Sequence, residues 1–454
     1  MTAPAMSFRI LLALAWPIVL ARSAQAVIGF SDALMTAPLG EEPVAAVTTG
    51  SMNIFSALIF PMGIVFIVQS FASQLKARGD LRAARRYAYY GLALAVAAMV
   101  VAIALTPLVG PVLGLLDYTD GVRALMTDYL VLRAWSVGAV VATEVIGNWY
   151  GGLGNTRLHM AAGILAMVFN VALNWLLIEG NLGAPALGVS GAAIASAVAS
   201  WAGFALLALC FFRRWFIEHD VSGPLELRWS ELWRMLRFGI PNGLNWFLEF
   251  SAFAVFVNVV VAHLGTSVLA AMMIVMNVNS ISFMPAFGLA SAGAILVGQA
   301  IGGGDHDRVA GITGRTLVVT ASWQGLVGLG YLLAPEWVMG LFAQSAETAQ
   351  MFELGAVLLA LSAAWQLFDA VVMTLGESLR AAGDTAWSMW ARVAMAWLGF
   401  VPAAYVAVYL RGGGHVAAML CILGYLAALG LALVWRFRSG AWRRIDLVGE
   451  PALV

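Results

Sequence analysis

Long apolar runs separated by short polar stretches dominate the chain, and their spacing predicts its elements. At about 1.5 Å per residue, a helix of about 20 apolar residues crosses a hydrocarbon core about 30 Å thick. Six such runs can be drawn at residues 10–36, 44–74, 87–116, 122–150, 158–178 and 187–212. Six more follow at 234–262, 266–300, 311–342, 348–379, 387–410 and 415–435. The pattern predicts an all-α integral membrane fold of twelve transmembrane helices. Several runs exceed the minimum length, which fits tilted or kinked helices, with prolines at 17, 61, 107, 241, 285 and 402 as candidate kink points.

The second half repeats the first. A shift of about 225 residues sets Pro17 over Pro241, Gly40 over Gly265, Gln74 over Gln299, and Gly79-Asp80 over Gly304-Asp305. A shift of 229 pairs GLGNTRLHM (152–160) with AAGDTAWSM (381–389). The expected domains are a six-helix bundle over 1–212, a cytoplasmic linker over 213–233, and a second bundle with a short cytoplasmic tail over 234–454. An even number of spans per unit makes the repeats parallel, related by a pseudo-two-fold along the membrane normal, with a substrate path that alternates between the two sides.

Charge then orients the spans. With the N-terminus inside, the inner segments carry 20 Lys and Arg, Arg380 and Arg392 among them, and the outer segments only Arg123 and Arg411. That asymmetry predicts both termini in the cytoplasm and a multi-pass protein of the cell's inner (plasma) membrane. The overall balance is neutral, with 24 basic and 24 acidic residues, which argues against nucleic acid as a partner. Cys210 and Cys421 lie in apolar runs and imply no disulfide framework. The histidines at 159, 219, 263, 306 and 415 form no metal pattern, and GGGD (302–305) lacks the Lys of a phosphate loop. No cofactor and no catalytic constellation is therefore expected; a monomer in the bilayer is.

Against this apolar background the intramembrane polar residues stand out. In RFGIPNGLNWFLEF (237–250), Asn242, Asn245 and Glu249 fall on one helix face, and Glu249 lies about 18 Å deep. A charge there costs roughly 3 kcal/mol on insertion scales, so it faces a cavity or a partner. One reading is a protonated structural acid and the other a cation or proton site. Asp369 reaches a similar depth, about 16 Å from the inner end, and Asn277 about 16 Å from the outer end. Hard oxygens suit a small hard cation, whereas two close carboxylates would share a proton. Asn277 alone could equally make a helix–helix bond, as could Asn170 and Asn174 at i and i+4. Arg22, near mid-span, calls for neutralisation by Glu144, Asp128 or a backbone carbonyl.

The chain resembles the multidrug and toxic compound extrusion transporters, in their NorM-like branch. The likeness rests on the Gly-x-Pro that opens span seven before Glu249, on QLFDAVVMTLGESLRAAGDT (366–385), and on GNTRLHMAAGILAMVFNVALNWLLIEG (154–180) followed by APALGVSGAAIAS (184–196). The resemblance implies efflux of drugs or metabolites by antiport against sodium or protons. It implies a cation site at Glu249, Asp369 (both candidate sodium ligands) and Asn277, with a second acid at Asp32, which by position alone could be a solvated interfacial residue. The chain departs from some relatives in two places: Trp365 stands for an aromatic hydroxyl, and Asn170 and Asn174 occur where an acid is expected. Small amphipathic or cationic substrates would find cation–π and adaptable contacts at Trp365, Met273, Met276 and Met373, with Gln366, Asn242, Asn245, Asn170 and Asn174 as polar cavity candidates. For any one Trp or Met, an interface or core role is the alternative. A lipid-linked precursor flippase, which would show more spans and an Arg-rich cavity, and a membrane enzyme are the competing functions.

Overall fold

The computed structural model describes residues 8–217, 226–340 and 349–449, and among them there is helix and no strand. The first half comprises α1 (Phe8–Thr36), α2 (Glu41–Phe66), α3 (Val68–Arg78), α4 (Leu81–Ala104), α5 (Thr106–Leu113), α6 (Asp120–Ala134), α7 (Val137–Gly152), α8 (Arg157–Leu177) and α9 (Gly188–Phe212). The second comprises α10 (Trp229–Val255), α11 (Thr266–Gly302), α12 (Arg308–Leu333), α13 (Pro335–Gly340), α14 (Ala349–Ala381), α15 (Thr385–Ala394), α16 (Val401–Tyr405) and α17 (His415–Arg438). Eleven helices among the described residues are long and apolar enough to cross a membrane, and the bent pair α6–α7 makes a twelfth span. The fold is all-α, in two six-helix bundles.

The breaks follow identifiable chemistry. Pro17, Pro61, Pro241 and Pro285 sit inside continuous helices, while Pro107 opens α5 after a break at Leu105. The α6–α7 span bends by 45° with no proline. There the Ser136 hydroxyl donates to the Arg133 carbonyl at 2.7 Å, competing with the helix ladder. Span seven ends in a π turn at Phe256–Val261, and span eleven holds two, at Met395–Phe400 and Val406–Leu410. Span seven begins at Trp229, inside the expected linker, of which residues 218–225 lie outside the described residues.

Matched backbone turns express the repeat. Gly40 and Gly265 have φ of 115° and 102°, Gly79 and Gly304 81° and 78°, and Gly154 and Gly383 86° and 87°. Each pair ends or precedes a helix in a left-handed conformation that a Cβ disfavours, which is why glycine recurs at the same place in both halves.

By their contacts the residues separate into two units. One runs from Pro17 to Gly243; the other takes Leu244 onward together with α1 up to Trp16. In the first unit helices approach through small residues: a Cβ at Gly152 would lie 2.6 Å from the Gln69 carbonyl, and one at Gly191 2.5 Å from that of Leu177. Trp149, fully buried, donates from its indole to the Ala84 carbonyl at 2.8 Å. In the second unit a core that includes Phe256, Val275, Leu359, Phe400, Ile422 and Leu429 packs α10, α11, α14 and α17 around the polar residues described next.

Candidate functional site

The second unit contains a cavity of about 430 Å³. Its walls include the aromatic side chains of Phe250, Phe253, Phe283, Trp365, Phe400 and Tyr425, and two acids, Glu249 and Asp369, open onto it. Glu249 comes from α10 and Asp369 from α14, so the two acids of similar predicted depth meet at one space. Their surroundings differ. Arg392, from α15, places Nη1 2.8 Å from Oε1 and 2.7 Å from Oε2 of Glu249, and the Tyr425 hydroxyl donates to Oε1 at 3.0 Å. Asp369 Oδ2 accepts from Gln324 Nε2 of α12 at 3.0 Å. The oxygen of that amide, Gln324 Oε1, is buried without a partner.

A neutral amide cluster lines the same cavity. Gln366 Nε2 donates to Asn279 Oδ1, and Asn279 Nδ2 donates to the Ser362 hydroxyl at 3.3 Å. Ser282 Oγ donates to Gln366 Oε1 at 3.4 Å. Trp365, Gln366 and Met276 are therefore on the wall. Asn277 is exposed and absent from the wall; Asn279, two residues on and about 200° around the helix, holds that place. Met273 is likewise exposed, and Met373 packs with Ala286 and Ala290. Asn242 donates to the Gly63 carbonyl at 2.6 Å, and Asn245 is buried with Oδ1 unpartnered; neither lines the cavity.

The first unit holds a second acid cluster. Asp32 of α1 is 2% exposed, a buried residue and not a solvated interfacial one. Its Oδ1 accepts from Asn170 Nδ2 at 2.8 Å and Asn174 Nδ2 at 2.6 Å, both on α8, and its Oδ2 accepts from Ser196 Oγ of α9 at 2.6 Å. Asn174 Oδ1 has no partner. Elsewhere in this unit Glu144 of α7 neutralises Arg22, with Nη1 to Oε1 at 2.9 Å and Nη2 to Oε2 at 3.0 Å. Gln25, Asn148 and His159 also converge on that carboxylate. Among the described residues no group of three or more His, Cys, Asp or Glu is arranged to hold a metal ion.

The family model for MatE matches residues 17–176 and 241–406. The chain belongs to the MatE family. Over 446 residues this MatE chain is 29% identical to the probable multidrug resistance protein NorM of Neisseria meningitidis serogroup B, covering 94% of the chain and 93% of that protein. It is 29% identical over 441 residues to the probable multidrug resistance protein NorM of Rhizobium meliloti, covering 95% and 93%. Its fold matches a crystal structure of MATE in complex with MaL6 at a TM-score of 0.88 and 18% identity, covering 96% of this chain and 97% of the other. A crystal structure of MATE in the bent conformation matches at 0.87 and 18%, covering 96% of each. This MatE protein is a membrane transporter, not an enzyme.

Four residues at this site carry no strong signal in the sequence: Tyr425 and Asn279 on the cavity wall, and Arg392 and Gln324, which hydrogen-bond its two acids. Arg392 lies only seven residues beyond Thr385, where α15 begins, and by position belongs with the inner surface charge. Its long side chain instead brings the guanidinium to Glu249. Tyr425 and Gln324 carried the weak signal of polar groups inside apolar runs.

Proposed function

We propose that this MatE transporter exports small amphipathic or cationic compounds by antiport against sodium or protons. The observation that carries the reading is one cavity, with six aromatic side chains in its wall, onto which two intramembrane carboxylates open. Aromatic faces attract organic cations, and carboxylates bind a small cation or a proton. Cation and substrate need not touch: each need only favour a different state of the carrier, with a coupling of roughly 1 to 3 kcal/mol. Asp32, with the amide oxygens of Asn170 and Asn174 beside it, supplies a second hard-oxygen position in the first unit. The names of the NorM relatives and the charge asymmetry of the loops support export across the inner membrane from a protein with both termini cytoplasmic.

The test is dye efflux from proteoliposomes under separately imposed sodium and proton gradients. Efflux driven by one of them is expected, and efflux indifferent to both overturns coupling. A reporter fused after Val454 should read cytoplasmic; an outside reading overturns the orientation.

A further inference from the structure

The two cavity acids are unequal partners. Glu249 accepts from Arg392 and Tyr425, and the guanidinium Nη1 spans both carboxylate oxygens within 2.8 Å. Arg392 is held there from a second side, its Nη2 packed against Gly376 of α14, where an added Cβ would come within 3.4 Å. Among the described residues, Asp369 has no basic side chain at hydrogen-bond distance and accepts from the Gln324 amide. The orphan Gln324 Oε1 is a fully buried acceptor, and a 180° turn of the amide, which exchanges O for N, would give Asp369 an oxygen neighbour in place of a donor. With both acids ionised, two carboxylates and one guanidinium leave the site one negative charge.

We propose that Arg392 acts as a tethered cation on Glu249, so that Asp369 with Gln324 is the position that exchanges and the cavity takes one positive charge at a time. The inference rests on the coupled-antiport reading and divides the roles within it: Arg392 is a positioning and specificity-determining residue, set by charge. The ligand class that follows is a monocation with apolar substituents, its charge at Asp369 and its body against Trp365, Phe283 and Phe400. A dication would bring one charge more than the site neutralises.

The experiment is calorimetric titration of the purified full-length transporter in detergent with tetraethylammonium, one quaternary centre, and hexamethonium, two. The wild type should bind tetraethylammonium at least roughly tenfold more tightly than hexamethonium, and Arg392→Gln should reverse that order by a similar factor, because one unit charge near a partly buried site is worth that much. Arg392→Lys should keep the wild-type order. Glu249→Gln should lose roughly tenfold or more in tetraethylammonium affinity, since Arg392 is then uncompensated beside Asp369. Glu249→Gln with Arg392→Gln should regain most of that loss. A Glu249 that itself ligates the incoming cation gives no regain.

The double variant leaves no side chain of the pair charged, so it carries the test where Arg392→Gln fails to fold. No tetraethylammonium binding by the wild type, an unchanged probe order in Arg392→Gln, or no regain in the double variant overturns the tether. Gradient-driven efflux by the same wild-type preparation reports separately on coupling. Efflux with no regain removes the tether alone, and binding with regain but no efflux removes the coupling alone.

Discussion

Asp32 and Glu249 are both carboxylates set inside spans, yet one is held by neutral groups and the other by a charge. Asp32 accepts from two amides and a hydroxyl, none of which carries a charge. Glu249 is matched by the Arg392 guanidinium. The difference teaches that depth in the membrane does not decide what an acid does; the charge of its donors does. A carboxylate with neutral donors remains an attractor for a mobile cation. One bound by arginine is closer to a fixed element, as Glu144 is on Arg22.

The largest effect expected to test this contrast comes from the second-unit acids. Asp369→Asn or Glu249→Gln should abolish accumulation against a gradient, and the two together should be little worse than either, because residues acting as one unit are strongly non-additive. Gradient-driven efflux in all four backgrounds measures it, and independent, multiplicative losses would divide the cavity into two sites. Next in size is Glu144→Gln. It leaves Arg22 buried without its counter-charge and should lower stability by about 3 to 5 kcal/mol, read as the melting temperature in detergent. Replacing Arg22 and Glu144 together by apolar residues should recover most of that. A single variant as stable as the wild type would show the pair to be dispensable.

Asp32→Asn should reduce transport while the folded protein reaches the membrane at normal levels. Transport unchanged between pH 6 and 8 would make Asp32 structural and erase the distinction drawn here. Smallest is Ser196→Ala, which removes one donor to a carboxylate and should cost about 1.5 to 3 kcal/mol in stability, measured by thermal unfolding. No change there would mean that Asn170 and Asn174 alone hold Asp32.

Much of this was legible in the chain itself, because the bilayer imposes length and polarity on every span. The twelve runs, the paired glycines at 40 and 265, and the shared depth of Glu249 and Asp369 follow from counting residues. Rotation about a helix axis is harder to count: Asn277 and Asn279 have nearly the same depth but point to different sides, and packing alone selects Asn279. Reach is harder still. Arg392 starts near a helix end, where basic residues ordinarily face water, and only the fold shows its side chain turned toward Glu249. Arg22 had several acids within plausible range, and the bend at Ser136 and the helices beside it bring Glu144 to it.

The matching of basic to acidic side chains inside the spans also bears on the transmembrane voltage. A pair such as Arg22–Glu144 or Arg392–Glu249 sums to zero, so the field does almost no net work when either moves as a unit. Moving one elementary charge across 100 mV is worth about 2.3 kcal/mol, comparable to a whole coupling energy. That work can act only where charge is left over, and Asp32 and Asp369 are the carboxylates whose hydrogen-bond donors here are neutral. Asp32 and Asp369 are thus two places, one in each half of the chain, where the transmembrane field would act on a charge that no basic partner cancels.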